Sequence, residues 1–219
     1  MSSEMYEISI KRFDPEPDNR TWWETYKIPT VANNTVLGAL LYIRENEDPT
    51  LVFRFSCRFK NCGLCAVTVN GVPKMACRTK LEAGMRIEPL KGLKPVRDLV
   101  VVREEIFKTL RLLDIYFKNG VDIDTPHIES EAGKRLRRCN ECLACLSTCE
   151  IRERNPDLGG PFYFVKLAQL LLDPRDSEDR KKQAKIMGID NCFACERKTC
   201  YCLNGIDIRR DAIETLLES

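Results

Sequence analysis

The sequence predicts an α+β protein in two parts, a small mixed domain over residues 1–100 and a mostly α-helical domain over residues 101–219. Three observations predict it. Apolar and polar residues alternate near the start of the chain, apolar residues recur every three to four positions beyond Pro95, and the cysteines change style between the halves. Four cysteines lie from Cys57 to Cys77, none follows until Cys139, and eight have passed by Cys202.

In the first part Tyr6, Ile8 and Ile10 alternate with Glu7, Ser9 and Lys11, the pattern of a half-buried strand, and a second strand candidate runs from Trp22 to Ile28. Asn34 or Thr35 caps a helix that carries Leu37, Leu40, Leu41 and Arg44 and stops at Asp48-Pro49. Ala66 to Val69 reads as a strand leading into Asn70-Gly71, a dipeptide favoured in two-residue hairpin turns. In the second part Ile106, Leu110, Leu113 and Phe117 predict a helix that ends at Gly120. Pro161, after Gly159-Gly160, opens another, which runs through Val165, Leu167, Leu170 and Leu171 to Asp173-Pro174. A charged helix up to Gly188 and a last one from Asp207 to Leu217 complete this part.

With 219 residues, 43% apolar and 31% charged, the chain can bury a real core. Met1 to Ile10 shows no basic region followed by an apolar stretch, so no secretory signal is read there and a cytoplasmic, reducing setting is expected. In such a setting a dense cysteine pattern points to metal ligation rather than disulfides. The apolar runs Leu170 to Leu172 and Leu99 to Val102 are far shorter than the roughly 20 residues of a membrane-spanning helix. Any attachment to the inner face of the cell membrane would run through a partner. Lysine and arginine number 35 against 33 acidic residues, so no global field recruits nucleic acid. The basic runs Lys134 to Arg138 and Arg180 to Lys185 read first as solvated helix faces and second as partner-docking surfaces.

The first cysteines read Cys57-x4-Cys62-x2-Cys65, with Cys77 eleven residues beyond the last, and this is the plant-type spacing of a [2Fe–2S] cluster. A tight loop rich in N–H donors suits it, because a reduced cluster gains negative charge. Gly63 lets the backbone approach closely, and Arg58 and Lys60 add favourable charge. A zinc site built from the same cysteines is the alternative, although all-cysteine zinc sites generally join two short CxxC-like pairs. The second set, Cys139-x2-Cys142-x2-Cys145-x3-Cys149, is a bacterial-ferredoxin run, whose fourth cysteine ligates a second cluster. Its partner run is Cys192-x2-Cys195-x4-Cys200-x1-Cys202. The expected assignment gives one [4Fe–4S] cluster to Cys139, Cys142 and Cys145 with one late cysteine, Cys202 being the first choice among the last four, and another to Cys149, Cys192, Cys195 and Cys200; the spacing of the last four leaves open which of them closes which cluster. Paired zinc sites are again the alternative. His127, the sole histidine, reads as a surface or packing residue, and no catalytic residues stand out.

These motifs resemble the iron–sulfur subunit of the succinate dehydrogenase and fumarate reductase family over nearly the whole chain. Phe53 to Ala66 (FRFSCRFKNCGLCA), after Asp48 to Leu51, is similar to that family's [2Fe–2S] loop. Asn70 to Lys80 resembles its fourth-ligand hairpin, Pro95 to Val101 its linker strand, and Asn155 to Asp173 its helix between cysteine groups. The resemblance implies a β-grasp plant-type ferredoxin domain followed by a bacterial-ferredoxin-like one. It also implies single-electron transfer between a FAD-bearing catalytic subunit and a quinone in a membrane anchor, or a further redox subunit, with no substrate site on this chain. The family typically binds a distal [3Fe–4S] cluster through three cysteines. Four are present here, so a distal [4Fe–4S] cluster is expected, with [3Fe–4S] as the alternative. Quinone-linked members carry proline, tryptophan and histidine where Glu150, Arg154 and Phe193 stand in this chain.

Overall fold

The computed structural model describes residues 5–29, 35–59, 61–118, 120, 129–155, 157–197 and 200–218. Two compact units emerge, Met1–Val102 and Arg103–Ser219, and the chain as a whole is a mixed α+β protein.

The first unit is built on two long strands, β1 (Met5–Asp14) and β2 (Arg20–Pro29), paired antiparallel in unbroken register from Met5↔Pro29 to Asp14↔Arg20. The alternation in β1 places Ile8 and Ile10 in the core, and the same face then continues with Arg12, a charge that is only 3% exposed. Its guanidinium is bonded to Asp98 at 2.9 Å, Glu24 at 2.8 Å and Tyr26 at 2.7 Å, and also to Asp48. A buried charge is tolerable only with such partners. Helix α1 (Val36–Asn46) starts at Thr35, whose hydroxyl accepts a hydrogen bond from the Gly38 N–H at 3.1 Å. Asn34, the other candidate cap, lies outside the described residues. Val36, Leu37, Ala39, Leu40 and Ile43 face the core. The predicted Leu41 is only half-buried, because the inward stripe runs through Val36, Ala39, Leu40 and Ile43 and leaves position 41 at its edge.

Strands β3 (Ala66–Val69) and β4 (Val72–Met75) form the expected hairpin. Asn70 and Gly71 have φ of 49° and 81°, the left-handed pair that a type I′ turn requires. Strand β5 (Arg86–Glu88) lies parallel to β1 and antiparallel to β3, which gives the sheet order β2-β1-β5-β3-β4. A separate ladder joins β6 (Pro95–Arg97) to β7 (Val100–Val101). It sets Asp98 under Arg12.

The second unit is helical. Helix α2 (Glu104–Leu112) ends well before the expected stop at Gly120. Asp114 adopts φ 52°, its N–H meets the Arg111 carbonyl at 3.2 Å, and the Ile115 N–H meets the Leu110 carbonyl at 2.8 Å. These are the two bonds of a Schellman close, with aspartate where glycine is usual. Ile115 turns inward, while Leu112 and Phe117, the latter predicted on the buried stripe, are exposed. Short helices α3 (Glu131–Leu136) and α5 (Glu150–Arg154) flank the first cysteine run, and α4 (Ala144–Ser147) lies within it and carries Cys145. Helix α6 (Pro161–Leu171) is the core element, burying Phe162, Tyr163, Phe164, Val165, Leu167 and Ala168.

Helix α7 (Arg180–Ile186) is charged as expected, but its first residue is not solvated. Arg180 is fully buried, paired with Asp176 at 2.6 Å and donating to the carbonyls of Asp114 at 2.8 Å and Tyr116 at 2.9 Å. It anchors the segment that follows α2. A 3-10 turn spans Ile189–Ala194, and the last helix begins as a wide π-type turn at Arg209–Glu214 and continues as α8 (Thr215–Leu217). Among the described residues no helix is long and apolar enough to cross a membrane.

Candidate iron–sulfur centres

The loop that carries Cys57 and Cys62 leads into β3, and Cys65 stands immediately before that strand, with Cys77 two residues beyond β4. The Ala76 N–H bonds the Cys65 carbonyl at 3.0 Å, so the hairpin itself brings the third and fourth cysteines together. Arg58 and Gly63 take φ of 58° and 67°, which turns successive N–H groups inward. Two of these, from Phe59 and Cys62, donate to the Cys57 sulfur at 3.3 Å each. These backbone donors pull the Cys57 thiol down to about 7. Burial pushes Cys65 up to about 12, and the neighbouring Cys77 and Cys62 sulfurs add to the rise. Lys60 lies outside the described residues.

In the second unit Cys139, Cys142, Cys145 and Cys202 line one cavity, closed on its apolar side by Phe162, Val165, Ile206 and Ile208. The Asn204 side chain donates to the Arg138 carbonyl at 3.0 Å, which ties the Cys202 turn beside Cys139, and the Asn204 N–H points at the Cys202 sulfur from 3.4 Å. A neighbouring cavity of about 510 Å³ is lined by Cys145, Cys149, Cys195, Cys200 and Cys202, with Glu150, Arg197 and Tyr201 beside them. Burial pushes Cys142 up to about 11 and Cys139 upward as well, and Cys202 adds to both. Cys145 is driven well above the usual range, first by burial and then by Cys142, Cys139, Cys202 and Cys200.

Burial also pushes Cys192 up to about 11 and Cys200 up to about 12, and Cys149 and Cys195 contribute to each. Cys145 and Cys202 line both cavities, so the two groups of thiols adjoin. Buried thiols of this kind release their protons when a metal centre takes the charge. Several thiols around one cavity, with N–H donors aimed at sulfur, suit a cluster chemically. Among the described residues no group of three or more His, Cys, Asp or Glu is arranged to hold a single metal ion.

Several residues of these sites escaped sequence reading. Arg103 donates to the Glu141 carbonyl at 2.6 Å, Lys166 to the Glu141 carboxylate at 2.6 Å, and Arg209 to the Cys192 carbonyl at 2.8 Å. No local spacing could reveal contacts that reach 38, 25 and 17 residues along the chain. Glu150 forms an ion pair with Arg197, which also donates to the Thr148 carbonyl at 3.1 Å. His127 lies outside the described residues.

Residues 7–108 match the family of 2Fe-2S iron-sulfur cluster binding domains. An uncharacterized iron-sulfur protein of Methanocaldococcus jannaschii is 42% identical over 217 residues, 97% of this chain and 43% of that protein. A subunit of the fumarate reductase (CoM/CoB) of Methanothermobacter marburgensis is 33% identical across 97% of this chain and 44% of its own. The fumarate reductase iron-sulfur subunit of Mycobacterium tuberculosis is 30% identical over 215 residues, covering 91% of this chain and 87% of that subunit. The chain belongs to the succinate dehydrogenase and fumarate reductase iron–sulfur subunit family. The family's fold is also met in a solved structure of the Mycobacterium smegmatis Sdh1 complex in the apo form, with TM-score 0.84 and 22% identity over 99% of this chain and 95% of that one. The chain spans less than half the length of the first two of these relatives.

Proposed function

We propose that this chain is the electron-transfer subunit of a succinate dehydrogenase or fumarate reductase-like complex, relaying single electrons between a FAD-bearing catalytic subunit and a distal acceptor. In this reading the first unit is a β-grasp ferredoxin domain, supported by the order β2-β1-β5-β3-β4 with its parallel β1–β5 pair. Cys57, Cys62, Cys65 and Cys77 hold a [2Fe–2S] cluster. Cys139, Cys142, Cys145 and Cys202 hold a middle [4Fe–4S] cluster, and Cys149, Cys192, Cys195 and Cys200 a distal one.

The observation that carries the reading is the placing of seven of the late thiols around two adjoining cavities, Cys139, Cys142, Cys145 and Cys202 about one, and Cys149, Cys195 and Cys200, again with Cys145 and Cys202, about the other. Clusters supply one-electron redox chemistry, with potentials set by charge, N–H donors and solvent access. The chain's own residues do the rest. The Phe59 and Cys62 N–H groups stabilise negative charge on the Cys57 sulfur, and Phe162, Val165, Ile206 and Ile208 exclude water from the middle cavity.

At the distal end the Glu150–Arg197 ion pair sits beside the cavity of the last cysteine group. Charged groups in that place, together with a relative named for CoM and CoB, favour a second redox protein linked to thiol chemistry over a quinone. Purifying the native protein anaerobically and identifying what travels with it tests the relay. A co-purifying flavoprotein is the expected result, and a monomer without one contradicts it.

A further inference from the structure

The residue that separates Cys139-Asn140 from Cys142 is Glu141, held at φ 59°, a conformation uncommon for a side chain of this kind. It lines the same cavity as Cys139, Cys142, Cys145 and Cys202. Two cations grip it from different elements. Arg103, just before α2, donates to its carbonyl at 2.6 Å, and Lys166, in the middle of α6, donates to its carboxylate at 2.6 Å. The Arg103 guanidinium lies 5.7 Å from the Phe107 ring, and the Lys166 ammonium lies 5.7 Å from the Phe162 ring, which also lines the cysteine cavity.

These two grips do different work. Arg103 holds the loop through a backbone carbonyl, a bond in which the Glu141 side chain takes no part. The carboxylate nevertheless stands beside a group of thiolates, where negative charge opposes a further electron, and it is neutralised by a half-buried lysine whose side chain is 19% exposed. The Glu141 side chain is 39% exposed and so more screened by water than Lys166, and the two charges act on the same centre with opposite sign.

We infer that the Glu141–Lys166 pair sets the redox potential of the centre held by Cys139, Cys142, Cys145 and Cys202, with Glu141 opposing its reduction and Lys166 favouring it. The inference rests on the proposed assignment of a [4Fe–4S] cluster to those four thiolates. Reduction adds one electron to that centre, taken from dithionite in the titration below. No ligand bond breaks, and no proton transfer is required.

The test is an EPR-monitored redox titration of the anaerobically reconstituted full chain at one pH. It reads the ratio of reduced to oxidised middle cluster at the wild-type midpoint potential. Glu141→Gln raises this ratio about tenfold and Lys166→Gln lowers it about tenfold, as expected for removal of one nearby charge. For a one-electron centre, tenfold is about 59 mV. The double variant returns to within about twofold of wild type, Lys166→Arg stays there, and the [2Fe–2S] spin count is unchanged throughout.

A purely structural pair would move both single variants in the same direction, and that result overturns the inference, as does a shift below about twofold in both. If one single variant takes up no cluster, the sign of the other decides, and a wrong sign overturns the proposal. Loss of the cluster in both, with wild type loaded, marks the pair as structural and overturns it too. Absence of any [4Fe–4S] signal in wild type is a different outcome, which sinks the functional assignment itself and the inference with it.

Discussion

Cys195 stands next to the last residue of the 3-10 turn Ile189–Ala194 and lines the distal cavity with Cys149 and Cys200. Replacing it with serine removes one soft ligand from that group alone, so EPR of the reduced variant is expected to show an altered distal signal and an unchanged [2Fe–2S] signal. Loss of the [2Fe–2S] signal by itself contradicts the ligand sets. Arg12 makes a different kind of residue-scale prediction. Arg12→Met would leave Asp98, itself 1% exposed, without its guanidinium partner. Breaking a buried pair in this way costs about 3–5 kcal/mol, measurable by chemical denaturation of the chain.

Asp48 belongs to the same network. Burial alone would raise its pKa, but hydrogen bonds from Thr50, Tyr26 and Arg12 outweigh that and hold it at about 2, below its usual 3.8. Its stabilisation is therefore complete above pH 3.8 and lost as pH falls through about 2. An acid titration followed by fluorescence of Trp22 and Trp23, on the neighbouring strand β2, should place part of the unfolding of the first unit in that window. Arg12→Met should move it toward higher pH.

At the scale of elements, Thr35 is the clearest single control of helix α1. Thr35→Ala removes the bond to the Gly38 N–H and should lower stability by about 1 kcal/mol, with Thr35→Ser restoring most of it in the same denaturation assay. The elements also show what was legible in the sequence. Strands β1 and β2, helix α1, the β3–β4 hairpin and helix α6 all carry local signals: alternation, a cap, Asn-Gly, or proline after two glycines. Strand β5 carries none, because its three residues bury only Ile87 deeply and its partners are distant in the chain. The close of α2 carries no local signal, because Asp114 does the work usually signalled by glycine. Arg180 and Arg12 were unreadable as buried residues for a related reason. Their burial depends on carboxylates and carbonyls supplied by other segments, such as Asp98, which lies 86 residues from Arg12.

For the molecule as a whole, cysteine spacing within a loop is a local property and is read directly from the sequence. The approach of cysteines across the gap between Cys149 and Cys192 is not local. It depends on the turn that Asn204 ties beside Arg138, and on Arg209 holding the Cys192 carbonyl. The clamp of Arg103, Glu141 and Lys166 was invisible for the same reason. The nearly balanced charge, 35 basic against 33 acidic residues, offers no bulk attraction for a partner, so recognition would reside in the local surroundings of the clusters.

If the twelve cysteines hold three iron–sulfur clusters, iron, zinc and acid-labile sulfide analysis of the anaerobically reduced protein should give about ten iron and ten sulfide per chain, from the composition of one [2Fe–2S] and two [4Fe–4S] clusters, with EPR signals from both cluster types. Stoichiometric zinc without acid-labile sulfide would contradict it.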